Sequence, residues 1–169
     1  MTRAFVGLGS NVGDRLRNLR EALDDLDADG VRVLRWSSVY ETDPVGPPQD
    51  DFLNAVAEVD TTLEPFELLA RLKETERVIG RQERGRWGPR EIDLDLLLYG
   101  DQTLSEPGLQ VPHRGLTWRA FVLVPLLELA PDLDVPGAGA VADLARAAGT
   151  GGVRLVGSPD DLRRRGEAG

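Results

Sequence analysis

The 169-residue chain contains no cysteine and a single histidine, His113. The first absence excludes disulfides and thiolate metal sites. The second excludes a metal site built from several histidines of this chain. A divalent metal bound here must therefore sit on oxygen ligands, which selects Mg2+, Mn2+ or Ca2+. No apolar run approaches the ~20 residues needed to cross a bilayer. The N-terminus enters a strand-like AFVGLG without a signal-peptide pattern, so a cytoplasmic protein with no membrane partner is expected. Positive charge is also in deficit: the net charge of −9 disfavours nonspecific binding to nucleic acid or anionic membranes.

What is present fits a soluble globular protein. Hydrophobic content of 41% and charged content of 29% are ordinary, and the length suits one domain with a real core. One domain over residues 1–157 is expected. The stretch from Gly157 onward has little to bury, so residues 158–169 read as a flexible tail.

The order of elements is legible. A short strand over 3–8 leads into GSNVGD and a helix to about Ala28, capped by Asn11 or Asp14, with Leu16, Leu19, Leu23 and Leu26 at helical spacing. A strand over 31–42 follows, then the Pro- and Gly-rich loop TDPVGPPQDD and a strand over 52–60. Glu64-Pro65 opens a second helix that stops at Gly80. After the polar loop RQERGRWGPR comes a strand over 92–99. The order β-α-β-β-α-β is the split pattern of an α+β, ferredoxin-like fold: an antiparallel-rich sheet with helices on one face. Additional helices are expected at about 117–130, kinked or restarted at Pro125, and in VADLARAA.

The last strand of that core poses a chemical question, because its apolar run carries Asp93 and Asp95. Side chains alternate along a strand, so Asp93, Asp95 and Leu97 share one face while Ile92, Leu94, Leu96 and Leu98 share the other. The leucines point into the core, and the carboxylates stand ~6–7 Å apart at Cα. That separation lets both reach one cation or two adjacent ones. Without a cation the pair repels. Mg2+ suits it, since Mg2+ takes one or two carboxylates and fills its remaining positions with water and phosphate oxygens. Two aspartates on a solvent-exposed strand face fit the same pattern.

Charge nearby is locally basic. Between Arg71 and Arg90 stand Arg71, Lys73, Arg77, Arg81, Arg84, Arg86 and Arg90 against Glu74, Glu76 and Glu83. A solvated helix and loop accounts for that count equally well. Arginine forks beside metal-binding carboxylates nevertheless match a nucleotide triphosphate. A dinucleotide fold is disfavoured: the glycines of GLGSNVGD miss the G-x-G-x-x-G register by one residue and read instead as a tight strand-to-helix turn. No Walker A motif is present.

Four segments together carry a resemblance: GLGSNVGDR (7–15), YETDPVGPPQDDFLNAV (40–56), RWGPREIDLDLLLYG (86–100) and VPHRGLTWRAFVLVPLLELAPD (111–132). In order and spacing they resemble the 6-hydroxymethyl-7,8-dihydropterin pyrophosphokinases of folate biosynthesis. The resemblance implies transfer of pyrophosphate from ATP to the pterin hydroxymethyl group, with release of AMP. It implies two Mg2+ ions on Asp93 and Asp95, and loops around 45–50 and 81–90 that close over ATP and exclude water.

It also assigns residues. Arg81 and Arg90 join the two aspartates as catalytic positions. Glu76, Arg81, Arg84, Trp87, Arg90, Leu96, His113 and Arg119 would bind ATP. Thr42, Val45, Phe52, Asn54, Trp87 and Phe121 would form the pterin pocket. By pattern alone Phe52 and Phe121 read as core residues, Trp87 as a loop anchor, His113 as a turn former and Glu76 as a surface helix residue. As pterin ligands, the two phenylalanines offer stacking area, and Asn54 offers a donor and an acceptor on the same strand face as Phe52. The chain departs from the family pattern at Asp43, at Arg114 and in a loop before Trp87 that is one residue shorter. A monomer is expected. A non-catalytic ferredoxin-like small-molecule-binding module is the alternative, and an RNA-binding domain is disfavoured by the charge and by the lack of an aromatic RNP pattern.

Overall fold

The computed structural model describes residues 1–163. In chain order the elements are β1 (Thr2–Ser10), α1 (Arg15–Leu26), β2 (Val31–Trp36), β3 (Val39–Thr42), β4 (Phe52–Thr61), α2 (Pro65–Ile79) and β5 (Asp93–Tyr99). They continue as β6 (Leu104–Glu106), β7 (Leu109–Val111), α3 (Ala120–Leu129), β8 (Asp134–Val135), β9 (Gly139–Ala140), α4 (Val141–Ala148), β10 (Val153–Gly157) and a 3-10 turn over Pro159–Leu162. The main sheet runs β10-β3-β4-β1-β5, with β2 also on β4, and its pairings are antiparallel. This is the expected ferredoxin-like core, extended by β10.

Local chemistry accounts for the helices. The Asp14 carboxylate accepts from the Arg17 backbone N–H at 3.1 Å and caps α1. Pro65 occupies the first turn of α2, and Gly80 ends it in the left-handed region at φ 106°. The α3 helix starts at Arg119 and runs through Pro125 as one helix, without the restart that Pro125 allowed.

The single expected strand over 31–42 is two strands. Both lie on β4, and the break falls at the buried Ser37, whose hydroxyl accepts from Val56 N at 3.0 Å in place of a ladder bond. Glu128 of α3 holds the break from the other side, accepting from Ser38 N, from Ser38 Oγ at 2.9 Å and from Tyr40 OH at 2.5 Å.

Two cores sandwich the sheet. Ala4, Val6, Leu8, Leu94 and Leu96 pack against Leu19 and Leu23 of α1 and Leu68 and Leu72 of α2. On the opposite face Phe5, Val56, Leu97 and Leu98 pack against α3 and α4. Leu98 therefore does not share the face of Leu94 and Leu96. Its register to β1 slips between Phe5 and Val6, and the extra residue turns Leu98 toward α3 and Tyr99 toward α1 and α2.

The expectation of little to bury after Gly157 is corrected at Leu162, which is 1% exposed in the first core. Pro159 O accepts from Trp36 Nε1 at 2.7 Å, and Asp161 O accepts from Arg20. Residues 164–169 of the expected tail lie outside the described residues.

Candidate active site

The register of three strands builds the site. Asn54 of β4 pairs with Gly9 of β1, which pairs with Asp93 of β5; one step along, Val56, Gly7 and Asp95 form the next row. Directly paired residues point to the same face, so both carboxylates emerge on the α3 side. Gly7 and Gly9 are strand residues, not the tight turn the sequence suggested; only Gly13, at φ 73°, serves the turn. Their missing side chains leave the middle of the sheet open between the β4 side chains and the aspartates. A Cβ at Gly9 would lie 2.7 Å from Asn54 Oδ1.

Two cavities meet at this floor. One, of about 330 Å3, is lined by Val45, Phe52, Asn54, Trp87 and Phe121. The other, of about 440 Å3, is lined by Lys73, Glu76, Arg81, Leu96 and Gln110. Arg90, Asp93, Asp95, His113 and Arg114 line both. Of the residues expected to bind a ligand, Thr42 lines neither, but its Oγ1 accepts from Asn54 Nδ2 at 2.5 Å and so fixes the amide. Arg84 also lines neither. It bonds Glu91 at 2.6 Å and holds that carboxyl down to about 2. Leu96, buried beneath the helices, belongs to the first core as well as to the second cavity.

Charge is densely paired around the aspartates. Asp93 accepts from Arg90 at 2.8 Å and from Arg81 at 3.3 Å. Arg81 also bonds Glu76, which accepts from Leu94 N at 2.9 Å. Glu76 is buried rather than a surface residue, and that burial raises its pKa. Burial and the neighbouring Asp95 charge push Asp93 up as well, against Arg90 and Arg81. Burial also opposes ionisation of Asp95, but the His113 ring, Arg119 and Arg90 outweigh it and hold Asp95 below the usual range.

His113 is anchored by its backbone N–H to Leu97 O at 2.9 Å. Its Nδ1 accepts from Gly115 N at 3.1 Å, which leaves Nε2 facing Asp95 at 3.6 Å. Arg119 comes from the start of α3. Its Nε is buried with no hydrogen-bond partner, and its guanidinium lies 4.9 Å from the Trp118 ring and 5.7 Å from the Phe121 ring. A Cβ at Gly115 would sit 2.3 Å from that Nε, so any larger residue there would push this arginine out of its place. A buried donor without a partner, at a cavity, is a place for an anion.

Sequence reasoning did not find what holds the loops. Asn11 is 4% exposed. Its Nδ2 donates to Gln49 Oε1 and Asp50 O, at 2.9 and 2.8 Å. Its Oδ1 accepts from Arg90 N at 2.8 Å. One amide thus ties the loop before β4 to the loop before β5. Gln49 adds a bond to Trp87 O at 2.7 Å, and Gly46, at φ 98°, leaves room for Trp87 beside it. The signal lay in GSN, where Asn11 reads only as a possible helix cap.

An antiparallel α+β sheet presenting two carboxylates and several guanidinium groups between two cavities defines a phosphoryl-type transferase. The comparisons narrow that class. Residues 5–131 match the sequence model of the 7,8-dihydro-6-hydroxymethylpterin-pyrophosphokinase family, and the chain belongs to this family. The 2-amino-4-hydroxy-6-hydroxymethyldihydropteridine pyrophosphokinase of Methylorubrum extorquens is 48% identical over 139 residues, covering 81% of this chain and 88% of the relative. The protein of the same name from Pseudomonas aeruginosa is 46% identical over 136 residues, 79% of this chain and 84% of its own. A Plasmodium falciparum HPPK-DHPS crystal structure with SDX-DHP superposes with a TM-score of 0.70 at 16% identity, over 86% of this chain and 45% of that one, a likeness of fold. Membership sets aside the non-catalytic module as a reading of this chain. No helix among the described residues is long and apolar enough to cross a membrane.

Proposed function

We propose that the aromatic cavity takes the pterin and the second cavity, with Lys73, Arg81, Arg90 and Arg114 in its wall, takes ATP, so that the triphosphate crosses Asp93 and Asp95. The enzyme transfers the pyrophosphoryl group of ATP to the hydroxymethyl oxygen of 6-hydroxymethyl-7,8-dihydropterin, a step of folate biosynthesis. The new bond joins that oxygen to the β-phosphorus, the bond between the β-phosphorus and the oxygen bridging to the α-phosphate breaks, AMP leaves with that bridging oxygen, and the hydroxyl proton is released to solvent. The observation that carries the reading is the meeting of the two cavities at the aspartate pair.

The donor set fits Mg2+. Two carboxylates share one face, and burial with the neighbouring Asp95 charge pushes the Asp93 pKa up, a cost that a bound cation would relieve. The remaining positions would fall to water and phosphate oxygens, as Mg2+ prefers. Asp93 and Asp95 would hold two ions, which when bound neutralise the phosphate charge.

The chain's own side chains do the rest. Arg114, which lines both cavities, and Arg119, which lines the aromatic one, supply cations to the phosphates where the two cavities meet. Arg81 and Arg90, held on Asp93, sit where they too can turn to them. With His113 Nδ1 already accepting, its Nε2–H acts as a donor. Phe52, Phe121 and Asn54 orient the pterin, and Trp87 with the two loops shields the reaction from water. The reading includes a cytoplasmic monomer, and the net charge of −9 supports the absence of nucleic-acid and anionic-membrane partners.

Incubation with ATP, Mg2+ and the dihydropterin alcohol tests it. One AMP per pterin diphosphate is expected. ADP as the nucleotide product, or no pterin-dependent turnover, contradicts it.

A further inference from the structure

Arg154 stands in β10, beyond the segment 5–131 that carries the family match. Its guanidinium reaches both stems of the loop between β3 and β4. Nη1 bonds Asp43 Oδ1 at 3.0 Å, immediately after β3, and Nη2 bonds Asp51 Oδ2 at 3.0 Å, immediately before β4. Glu41 lies 3.7 Å from the same Nη2. The Asp43 stem is fixed a second time, because Asp43 N donates to Gly152 O at 3.0 Å. Gly152 also has to be small, since a Cβ there would meet Asp43 Oδ2 at 2.8 Å. From the other side Arg15 bonds Glu41 at 2.9 Å and Asp51 O at 3.0 Å.

The segment so gripped carries Asp43, Val45 and Gln49 into the aromatic cavity and delivers Phe52 at the start of β4. Two stems joined by one planar fork cannot separate without breaking one of its charge-assisted bonds. Arg154 is exposed, and exposed ion pairs add little to global stability. The consequence of such a clip is therefore local: it lowers the cost of ordering the loop when ligand binds.

We infer that Arg154 is a positioning residue for the acceptor substrate, a clip that closes the Asp43–Asp51 loop beside the aromatic cavity. It also gives a role to Asp43, one of the expected departures from the family pattern: its carboxylate is one of the clip's two anchors. The inference rests on the proposed placement of the pterin, so its test has one arm that does not.

In the ligand-free full-length protein, Arg154→Ala should raise hydrogen exchange at the Asp43 amide, which donates to Gly152 O at the loop's first stem, by about fivefold or more, leaving the thermal midpoint close to that of the parent. In steady-state kinetics it should raise the KM for the dihydropterin about five- to twentyfold, with kcat and the KM for ATP within about twofold. Arg154→Lys, a single point charge that cannot fork to both stems, should fall between the two. Unchanged loop exchange, or faster exchange with both KM values unchanged, overturns the inference. Faster loop exchange accompanied by a rise in the ATP KM alone overturns the assignment of the cavity to the pterin.

Discussion

Glycine at 9 and glycine at 115 are as much a part of this site as its charged residues. Each occupies a point where a methyl group would collide with a functional atom, Asn54 Oδ1 in one case and Arg119 Nε in the other. Gly9→Ala should displace the Asn54 amide and raise the pterin KM about tenfold or more, leaving the KM for ATP near that of the parent. Steady-state kinetics with each substrate varied in turn checks this, and an unchanged pterin KM contradicts it. The aspartates make the opposite kind of prediction. Asp95→Asn keeps shape but removes charge, so turnover should fall by about a thousandfold or more. Melting near neutral pH should show a modest loss of stability, because His113, Arg119 and Arg90 favour the ionised Asp95 in the folded protein and the amide forfeits that attraction. The aspartates and arginines were legible from residue type and spacing. The two glycines were visible as letters, but their role was not. What makes each necessary is a side chain 45 residues away for Gly9 and the guanidinium of an arginine four residues on for Gly115.

At the scale of elements, the sheet is tied together by charge on strands that the sequence shows only as alternating. Glu58 of β4 has a side chain only 8% exposed and bonds Arg3 of β1 and Arg35 of β2. Burial pushes its pKa up, but the two guanidinium groups outweigh burial and hold it below the ordinary 4.5. A carboxylate depressed on folding adds stability above its unfolded pKa and loses that contribution as pH falls through the folded value. Glu58→Gln should therefore cost about 1 kcal/mol near neutral pH, and its gap from the parent in chemical denaturation should close in acid, below about pH 4.5. A gap that stays constant in acid contradicts this. The strand pattern foresaw β1, β4 and β5 and the two long helices, because period and caps are local. It missed the break at Ser37, since a serine inside an alternating run looks polar and exposed. Here Ser37 is buried, and its hydroxyl completes the ladder. It also missed the Leu98 bulge, which nothing in a run of three leucines marks.

Over the whole molecule, contacts distant in sequence decide what the C-terminal segment does. β10 adds to the β3 edge, and Leu162 inserts into the core beneath α1, in a stretch whose composition reads as a loose end. Leu162→Ala should cost about 2–4 kcal/mol, as buried leucines do; a denaturation midpoint equal to the parent's would show that this segment contributes nothing. The architecture as a whole was readable because the β-α-β-β-α-β order admits few topologies. The two added helices were expected, but their place on the second face of the sheet and the clip from β10 were not, since both depend on which surfaces the first layer leaves uncovered. All of it converges on one junction, where the aspartate pair stands between two cavities. Calorimetric titration with a non-hydrolysable ATP analogue, with and without Mg2+, tests that junction directly. Binding that requires Mg2+ in the parent and is lost in Asp95→Asn, while the pterin still binds, is the predicted result; analogue binding that is indifferent to both Mg2+ and the substitution would contradict it.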